Sequence, residues 1–310
     1  MDTFVDSSWY FLRFCDPHND GEFAGKDALN AWMPVDLYMG GAEHTVLHLL
    51  YARFFTKVLH KLGYVQCNEP FAVLKHQGTI LGEDNFKMSK SRGNVVNPDT
   101  LVEMYGADTA RMYIMFMGPL EDSKPWQSQN IVGVHRFLGR VWGLVEQTQG
   151  EFFEDQESGE VKLKHHSTVK KVTHDIENLR YNTAIAALME FVNVLYSSSF
   201  CVENIKTLLI LLAPFAPHIT EELWGKLGQK GSVHRQQWSE YNEKYVVQTQ
   251  NTIPVFINGK VRAQIDVVED MSEDQLKEQA LAQSNIKKYT QGKEIKNIII
   301  KNNEFINIVI

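Results

Sequence analysis

Apolar positions through the middle of the chain recur every three or four residues, the spacing that lines one face of an α-helix. Val134, Phe137, Leu138, Val141, Trp142 and Val145 form one stripe. Val169, Val172, Ile176 and Leu179 form a second, and Ala184, Leu188, Phe191, Val192 and Leu195 a third. Pro214 and Pro217 stop one helix and open the next. Residues 128 to about 228 therefore read as a four- or five-helix bundle. Between its first two helices, Glu151, Glu154, Asp155, Glu157 and Glu160 surround Ser158 and Gly159, the composition of an exposed acidic loop.

Upstream, as far as Trp126, short apolar runs alternate with glycine punctuation, as in α/β domains. Residues 35–39 read as a strand, Gly40-Gly41 as a tight turn, and Glu43 onward as a helix whose buried stripe is Val46, Leu50, Phe54 and Val58. The last 60 residues change character again. Residues 253–257 and 260–267 flank Asn258-Gly259, which supplies the two positive-φ positions of a type I′ hairpin turn. Ser272 with Gln275 is a capping box that opens a helix, and residues 298–300 and 305–310 read as two further strands. The expected architecture is multidomain: α/β over residues 1–126, all-α over 127–248, and a small ββα(α)ββ unit over 249–310.

Length and composition narrow the class. A chain of 310 residues, 44% hydrophobic and 22% charged, is large enough for two or three cores and far from the disordered corner. The longest apolar runs, such as residues 208–213, are far too short for a membrane helix, and no basic-then-apolar leader opens the chain. A cytoplasmic protein with no membrane partner is expected. Cys15, Cys67 and Cys201 lie far apart with no C-x-x-C pair, against a zinc ribbon or a disulfide framework. The net charge of −7 excludes a uniformly basic nucleic-acid surface. The last 60 residues balance eight basic against eight acidic side chains, so the excess acid lies upstream and the tail repels polyanions least.

The densest chemistry lies at Lys87-Met88-Ser89-Lys90-Ser91, followed by Arg92-Gly93-Asn94. Two ammonium groups and two hydroxyls in one short loop can gather around a polyphosphate; by composition alone the same string is a solvated surface loop. Strand, glycines and helix start at 35–44 form the kind of crevice in which an open parallel sheet holds a nucleotide. Glu43 there either accepts from a ribose hydroxyl or complements the helix dipole. His44 and His48 share a helical face, and histidines so placed serve as packing residues or as ligands. Their spacing matches a zincin pair, but the neighbouring Glu is on the wrong side and no third ligand is evident, so no metal site is expected. Asn97 caps a helix with Pro98 at its first position, and Asp108 caps the next helix. Arg136 and Arg140 share a bundle face and read as solvated.

Taken with Gly93-Asn94-Val95-Val96-Asn97-Pro98 and Tyr105-Gly106-Ala107-Asp108-Thr109-Ala110-Arg111, the lysine loop resembles the second signature of class I aminoacyl-tRNA synthetases. Asp2-Thr3-Phe4-Val5-Asp6-Ser7-Ser8-Trp9-Tyr10-Phe11 and Pro34-Val35-Asp36-Leu37-Tyr38-Met39-Gly40-Gly41-Ala42-Glu43-His44 are similar to the leucyl branch in particular. Arg136-Phe137-Leu138, Leu212-Ala213-Pro214-Phe215-Ala216-Pro217-His218 and Ile257-Asn258-Gly259-Lys260-Val261-Arg262 extend the resemblance over essentially the whole chain.

That resemblance implies the second half of a Rossmann-like catalytic domain, a helical bundle of the anticodon-binding type and a C-terminal tRNA-binding domain. It implies ATP-dependent activation of leucine and transfer to tRNA(Leu), with ATP arriving with Mg²⁺ and no zinc in this chain. Lys87 and Lys90 are then the catalytic pair. Gly40, Gly41, Glu43, His44, Lys87, Met88, Ser89, Lys90 and Ser91 face ATP, and Phe4, Tyr38, His44 and His48 line the leucine pocket. Lys260, Arg262, Lys287, Lys288 and Lys293 are the tRNA candidates in the tail. The first catalytic half, with its His-x-Gly-His-like signature, and the editing domain have no counterpart here; His76-Gln77-Gly78-Thr79 does not fit that signature. The chain is expected to begin midway through the catalytic domain and to need the N-terminal half in cis or as a second chain. The alternative is a tRNA-binding module without catalysis when isolated.

Overall fold

A computed structural model describes residues 3–150, 153–246, 251–267, 272–291, 293, 295–301 and 305–310. They form two compact units, residues 1–240 and 241–310. Mixed helix and sheet run through the chain.

In the first unit, α1 (Thr3–Ser7), α2 (Tyr10–Phe14) and α3 (Lys26–Trp32) precede β1 (Val35–Gly41), a short 3₁₀ turn (Ala42–His44) and α4 (His48–Lys61). β2 (Phe71–Gln77) returns parallel to β1, in a register that sets Val35 beside Phe71, Gly40 beside His76 and Gly41 beside Gln77. Phe11, Leu12, Leu29, Ala52 and Val65 close a small core on one side of this pair. β3 (Ile80–Leu81) then leads into the lysine loop, followed by α5 (Pro98–Tyr105) and α6 (Ala107–Phe116); β4 (Lys124–Pro125) pairs parallel with β3.

The sequence places a turn at Gly40-Gly41, whereas the strand continues through both glycines and bends at Ala42. Parallel pairing with His76 and Gln77 holds them extended. A second correction concerns α4. Val46 is 72% exposed, Leu50 58%, Phe54 62% and Val58 40%, so the expected buried stripe faces outward. The buried side is His48, Leu49, Ala52 and Thr56.

Five helices follow: α7 (Ile131–Thr148), α8 (Gly159–Glu177), α9 (Tyr181–Ser197), α10 (Val202–Leu212) and α11 (Pro217–Lys226). Their stripes bury Val134, Phe137, Val141, Val169, Leu188, Phe191 and Leu208 in one core. Leu179, assigned to the second stripe, lies past the end of α8 with φ 58°. The acidic segment before α8 is exposed at Glu154, Asp155 and Glu160, as expected, but two of its carboxylates are tied to α10. Asp155 accepts from the first amide of α10, Val202, at 2.7 Å, and Glu157 accepts from the Asn204 carboxamide at 2.6 Å. Helix N-termini carry unpaired amides and a partial positive charge, which is what draws Asp155 in. Glu151 lies outside the described residues.

Asp108 also caps differently from expectation. It sits within α6, whose N-cap is Gly106, and its carboxylate reaches α11 instead. The Ile219 amide donates to it at 2.7 Å, the His218 amide at 3.3 Å and the His218 Nδ1 lies 2.8 Å away. Pro217 at the helix start has no amide to offer, so this one buried carboxylate takes both leading donors of α11. Arg111, one turn along, donates to the Pro214 carbonyl at 3.3 Å. Two segments about a hundred residues apart are thereby joined.

In the second unit, β5 (Asn251–Ile257) and β6 (Lys260–Val267) form the expected hairpin around Asn258 at φ 48° and Gly259 at φ 78°. The Ser272–Gln275 capping box opens α12 (Glu273–Ala282), and α13 (Ser284–Thr290) follows. With β7 (Asn297–Lys301) and β8 (Phe305–Val309) the sheet runs β6-β5-β8-β7, its β5–β8 pair parallel and the rest antiparallel. No described helix is long and apolar enough to cross a membrane.

Loss of the Asp108 carboxylate removes a helix cap and leaves the His218 and Ile219 amides without their partner. Asp108→Ala is expected to cost about 2 kcal/mol of stability. All six tryptophans lie before residue 240, so urea unfolding followed by tryptophan fluorescence reports the first unit alone. An unchanged urea midpoint would show the cap to be dispensable.

Candidate active site

The C-terminal ends of β1 and β2 and the start of α4 enclose a cavity of about 430 Å³. Phe4, Ser7 and Tyr10 come to it from α1 and α2, Tyr38, Gly40 and Gly41 from β1, His44 and His48 from the bend and α4, and Leu74, His76 and Gln77 from β2. Phe4, Tyr38, Gly40, Gly41, His44 and His48, singled out from sequence, are thus brought together. A side chain at Gly40 would meet nothing within 4 Å, so the backbone there is open to the cavity. At Gly41 an added Cβ would fall on the Glu43 carboxylate.

One wall is a polar relay inside an aromatic frame. Tyr38 stacks on Phe71 with ring centroids 3.8 Å apart, and its hydroxyl lies 2.7 Å from His48 Nε2 and 2.9 Å from the Tyr10 hydroxyl. Burial, reinforced by the Tyr10 hydrogen bond, raises the Tyr38 pKa well above the ordinary phenol value, so it remains a donor. Burial, and then the neighbouring His44, pushes the His48 pKa down, which favours the neutral imidazole with Nε2 accepting from Tyr38. The buried Nδ1 of His48 has no hydrogen-bond partner. The Phe4 and His44 rings lie 6.3 Å apart. Phe4, Tyr10, Tyr38, Leu49 and Leu74 supply apolar surface, and Ser7, His44, His76 and Gln77 supply polar contacts. Such a cavity suits a ligand with an aliphatic part and a polar head.

Glu43 and His44 are exposed at the bend. The Glu43 carboxyl is held below its ordinary pKa, first by its own backbone amide and further by the charges of Lys87, His44 and His76. Lys87 is thus near enough for its charge to act on Glu43. Lys87 to Ser91 do not themselves line the cavity; they form a loop at its side, with Lys87 and Lys90 exposed. Asn97 accepts from the Asp99 amide at 3.0 Å with Pro98 at the first helical position, as expected.

Ser7, Tyr10, Leu74, His76 and Gln77 were not assigned roles from sequence. Tyr10 lay within the quoted N-terminal motif. His76 and Gln77 enter only through the β1–β2 register, which no local pattern reveals. Of the bundle arginines, Arg140 donates to Asn193 at 2.6 Å and lies over the Tyr196 ring, whereas Arg136 is exposed. In the second unit Lys260, Lys287, Lys288 and Lys293 are exposed, and the Arg262 guanidinium lies 4.6 Å from the Tyr289 ring centre. Among the described residues no three His, Cys, Asp or Glu side chains are grouped to hold a metal ion.

Residues 1–125 match the family model for class I tRNA synthetases of the isoleucine, leucine, methionine and valine group, and residues 161–279 match the anticodon-binding domain of tRNA ligases. A leucine–tRNA ligase of Sorangium cellulosum is 49% identical over the whole of this chain. The chain belongs to the leucyl-tRNA synthetase family. It spans 36% of the length of that relative. A crystal structure of Agrobacterium radiobacter K84 LeuRS in a ternary complex with tRNA and LeuAMS matches all of this chain and 41% of its own, with a TM-score of 0.72 and 36% identity. A Mycobacterium tuberculosis methionyl-tRNA synthetase shares the fold at 19% identity and a TM-score of 0.56, over 73% of this chain and 50% of its own. Membership of the leucyl-tRNA synthetase family makes the chain part of an aminoacyl-tRNA ligase lineage.

The depressed pKa of His48 carries a sign. Below about pH 6.5 the unfolded chain takes up a proton that the folded site resists, so this group's contribution to stability rises with pH and is lost on acidification. Imidazole ¹⁵N spectra should show His48 still neutral at pH 6.5; a protonation midpoint at or above 6.5 would contradict the buried neutral relay.

Proposed function

We propose that the chain is the second half of a leucine-activating catalytic domain followed by tRNA-binding parts, and that it works with an N-terminal half supplied in cis or by a second chain. The observation that carries this reading is the cavity at the ends of β1 and β2, which gathers Phe4, Tyr38, His44 and His48 beside the lysine loop. Phe4, Tyr38, His44 and His48 surround the leucine side chain. Gly40, Gly41, Glu43 and His44 face the adenosine end of ATP.

The leucine carboxylate attacks the α-phosphorus, the bond to pyrophosphate breaks, and leucyl-adenylate forms. Lys87 and Lys90 hold the negative charge that grows on the phosphate oxygens, with Ser89, Ser91 and the Met88 segment shaping the loop around them. Mg²⁺ would accompany ATP, held mainly by the phosphates and water, and would supply positive charge at the phosphate oxygens. The tRNA(Leu) ribose hydroxyl then attacks the leucyl carbonyl carbon, giving up its proton as the ester bond forms, and the anhydride bond breaks to release AMP. We assign residues 1–126 to the catalytic half, 127–248 to the bundle and 249–310 to a tail in which Lys260, Arg262, Lys287, Lys288 and Lys293 meet the tRNA backbone.

Two features support a missing half. Among the described residues β1 pairs only with β2, and Leu37, Met39, Val73 and Leu74 stay exposed on this two-stranded sheet. The outward stripe of α4, from Val46 to Val58, presents a further apolar face. A strand of the N-terminal half added on the outer edge of β1, with its flanking helices, covers both. One displaced methyl group separates leucine from isoleucine by only about 1–3 kcal/mol, so proofreading belongs elsewhere in the complete enzyme.

The second reading, a tRNA-binding module without catalysis, is favoured by the match of residues 161–279 to the anticodon-binding domain of tRNA ligases. Leucine-dependent ATP–pyrophosphate exchange separates the two. The chain alone is expected to be inactive and to gain activity with an N-terminal half from a leucine–tRNA ligase, and Lys90→Ala should lower that activity by about 10²–10³. No exchange on mixing, with tRNA binding intact, would favour the module.

A further inference from the structure

The lysine loop is tied by a residue outside it. The Asn94 carboxamide oxygen accepts from the Ser89 amide at 2.9 Å, and its nitrogen faces both Asp84 carboxylate oxygens, at 3.0 and 3.2 Å. The same nitrogen lies 3.5 Å from the Phe86 carbonyl and 3.4 Å from the Lys87 carbonyl. Asp84 in turn accepts from the Phe86 amide at 3.1 Å. One amide side chain therefore touches the strand-side approach to the loop and its first turn. The space is tight: a Cβ at Gly82 would come within 2.7 Å of both Asn94 Nδ2 and Asp84 Oδ1.

We propose that Asn94, clamped on Asp84, is the positioning residue that presets the loop carrying Lys87 and Lys90. The idea rests on the catalytic reading of those lysines, but its geometry does not. Asn is required because the position must accept from one amide and donate to a carboxylate at once; Ala does neither, and an ionised Asp sets two carboxylates face to face. Hydrogen bonding by Asn94, with that of the Phe86 amide, holds the Asp84 carboxyl below its ordinary range, as such a clamp requires. The clamp fixes the loop backbone at Ser89 on folding, before ATP arrives, and so narrows the backbone positions from which Lys87 and Lys90 reach a phosphate.

The test is amide hydrogen exchange on the whole chain, corrected for the intrinsic rate at each pH. Asn94→Ala should speed exchange at Ser89 about tenfold, the effect of losing one hydrogen bond. Asn94→Asp should be as fast as Asn94→Ala near pH 8 and should recover protection as pH falls, because a protonated carboxyl again donates to Asp84; the native chain should show no such pH dependence. Unchanged protection in Asn94→Ala, or an Asn94→Asp chain that follows Asn94→Ala at every pH, would overturn the proposal. No arm depends on turnover, so an inactive chain leaves the test intact.

Discussion

The parallel register of β1 and β2 is the constraint on which the first unit depends. It sets Gly40 against His76 and Gly41 against Gln77, and so delivers an open stretch of backbone and two polar side chains to one end of a cavity. Slip by one residue would turn every side chain to the opposite face and dismantle the aromatic frame of Tyr38 on Phe71. Parallel pairs are the weaker kind, and two strands make a marginal sheet. The core of Phe11, Leu12, Leu29 and Ala52 packs on the start of both strands, at Val35 and Phe71, and leaves Leu37, Met39, Val73 and Leu74 exposed further along.

Elsewhere the fold is held by carboxylates that cap helices far away in the chain. Asp108 serves α11 and Asp155 serves α10, each satisfying amides that a helix start cannot pair internally. Because Asp108 lies one helix after α5, which follows the lysine loop, the segment carrying that loop and the five-helix bundle share a fixed joint. Asp155 is exposed and contributes modestly, whereas Asp108 is buried with several donors and contributes far more.

What could be read from sequence was local. The Asn258-Gly259 turn, the Ser272–Gln275 box, the Asn97–Pro98 helix start and the bundle stripes each depend on residues a few positions apart, and each stands in the structure. Apart from Leu179, which falls just past the end of α8, the misreadings share one cause, which is a distant partner. Val46, Leu50, Phe54 and Val58 do form an apolar stripe, but periodicity says only which face avoids water, and this face finds nothing to pack on among the described residues. Gly40 and Gly41 read as a turn because glycine so often breaks strands, and only the β2 pairing keeps them extended. An aspartate near a helix start reads as that helix's cap, and nothing nearby in sequence betrays that Asp108 reaches a helix about a hundred residues on. His76 and Gln77 were invisible for the same reason.

The account turns on β1 being an inner strand of a larger sheet. The Val35 amide donates toward β2, to the Pro70 carbonyl, so strand alternation turns the amides of Asp36, Tyr38 and Gly40 to the other edge. Residue-resolved hydrogen exchange on these three amides, in the chain alone and after addition of an N-terminal half from a leucine–tRNA ligase, tests this directly. The account predicts fast exchange alone and strong protection after addition. Amides already protected in the isolated chain, or still exchanging freely in an assembled and active complex, would contradict it.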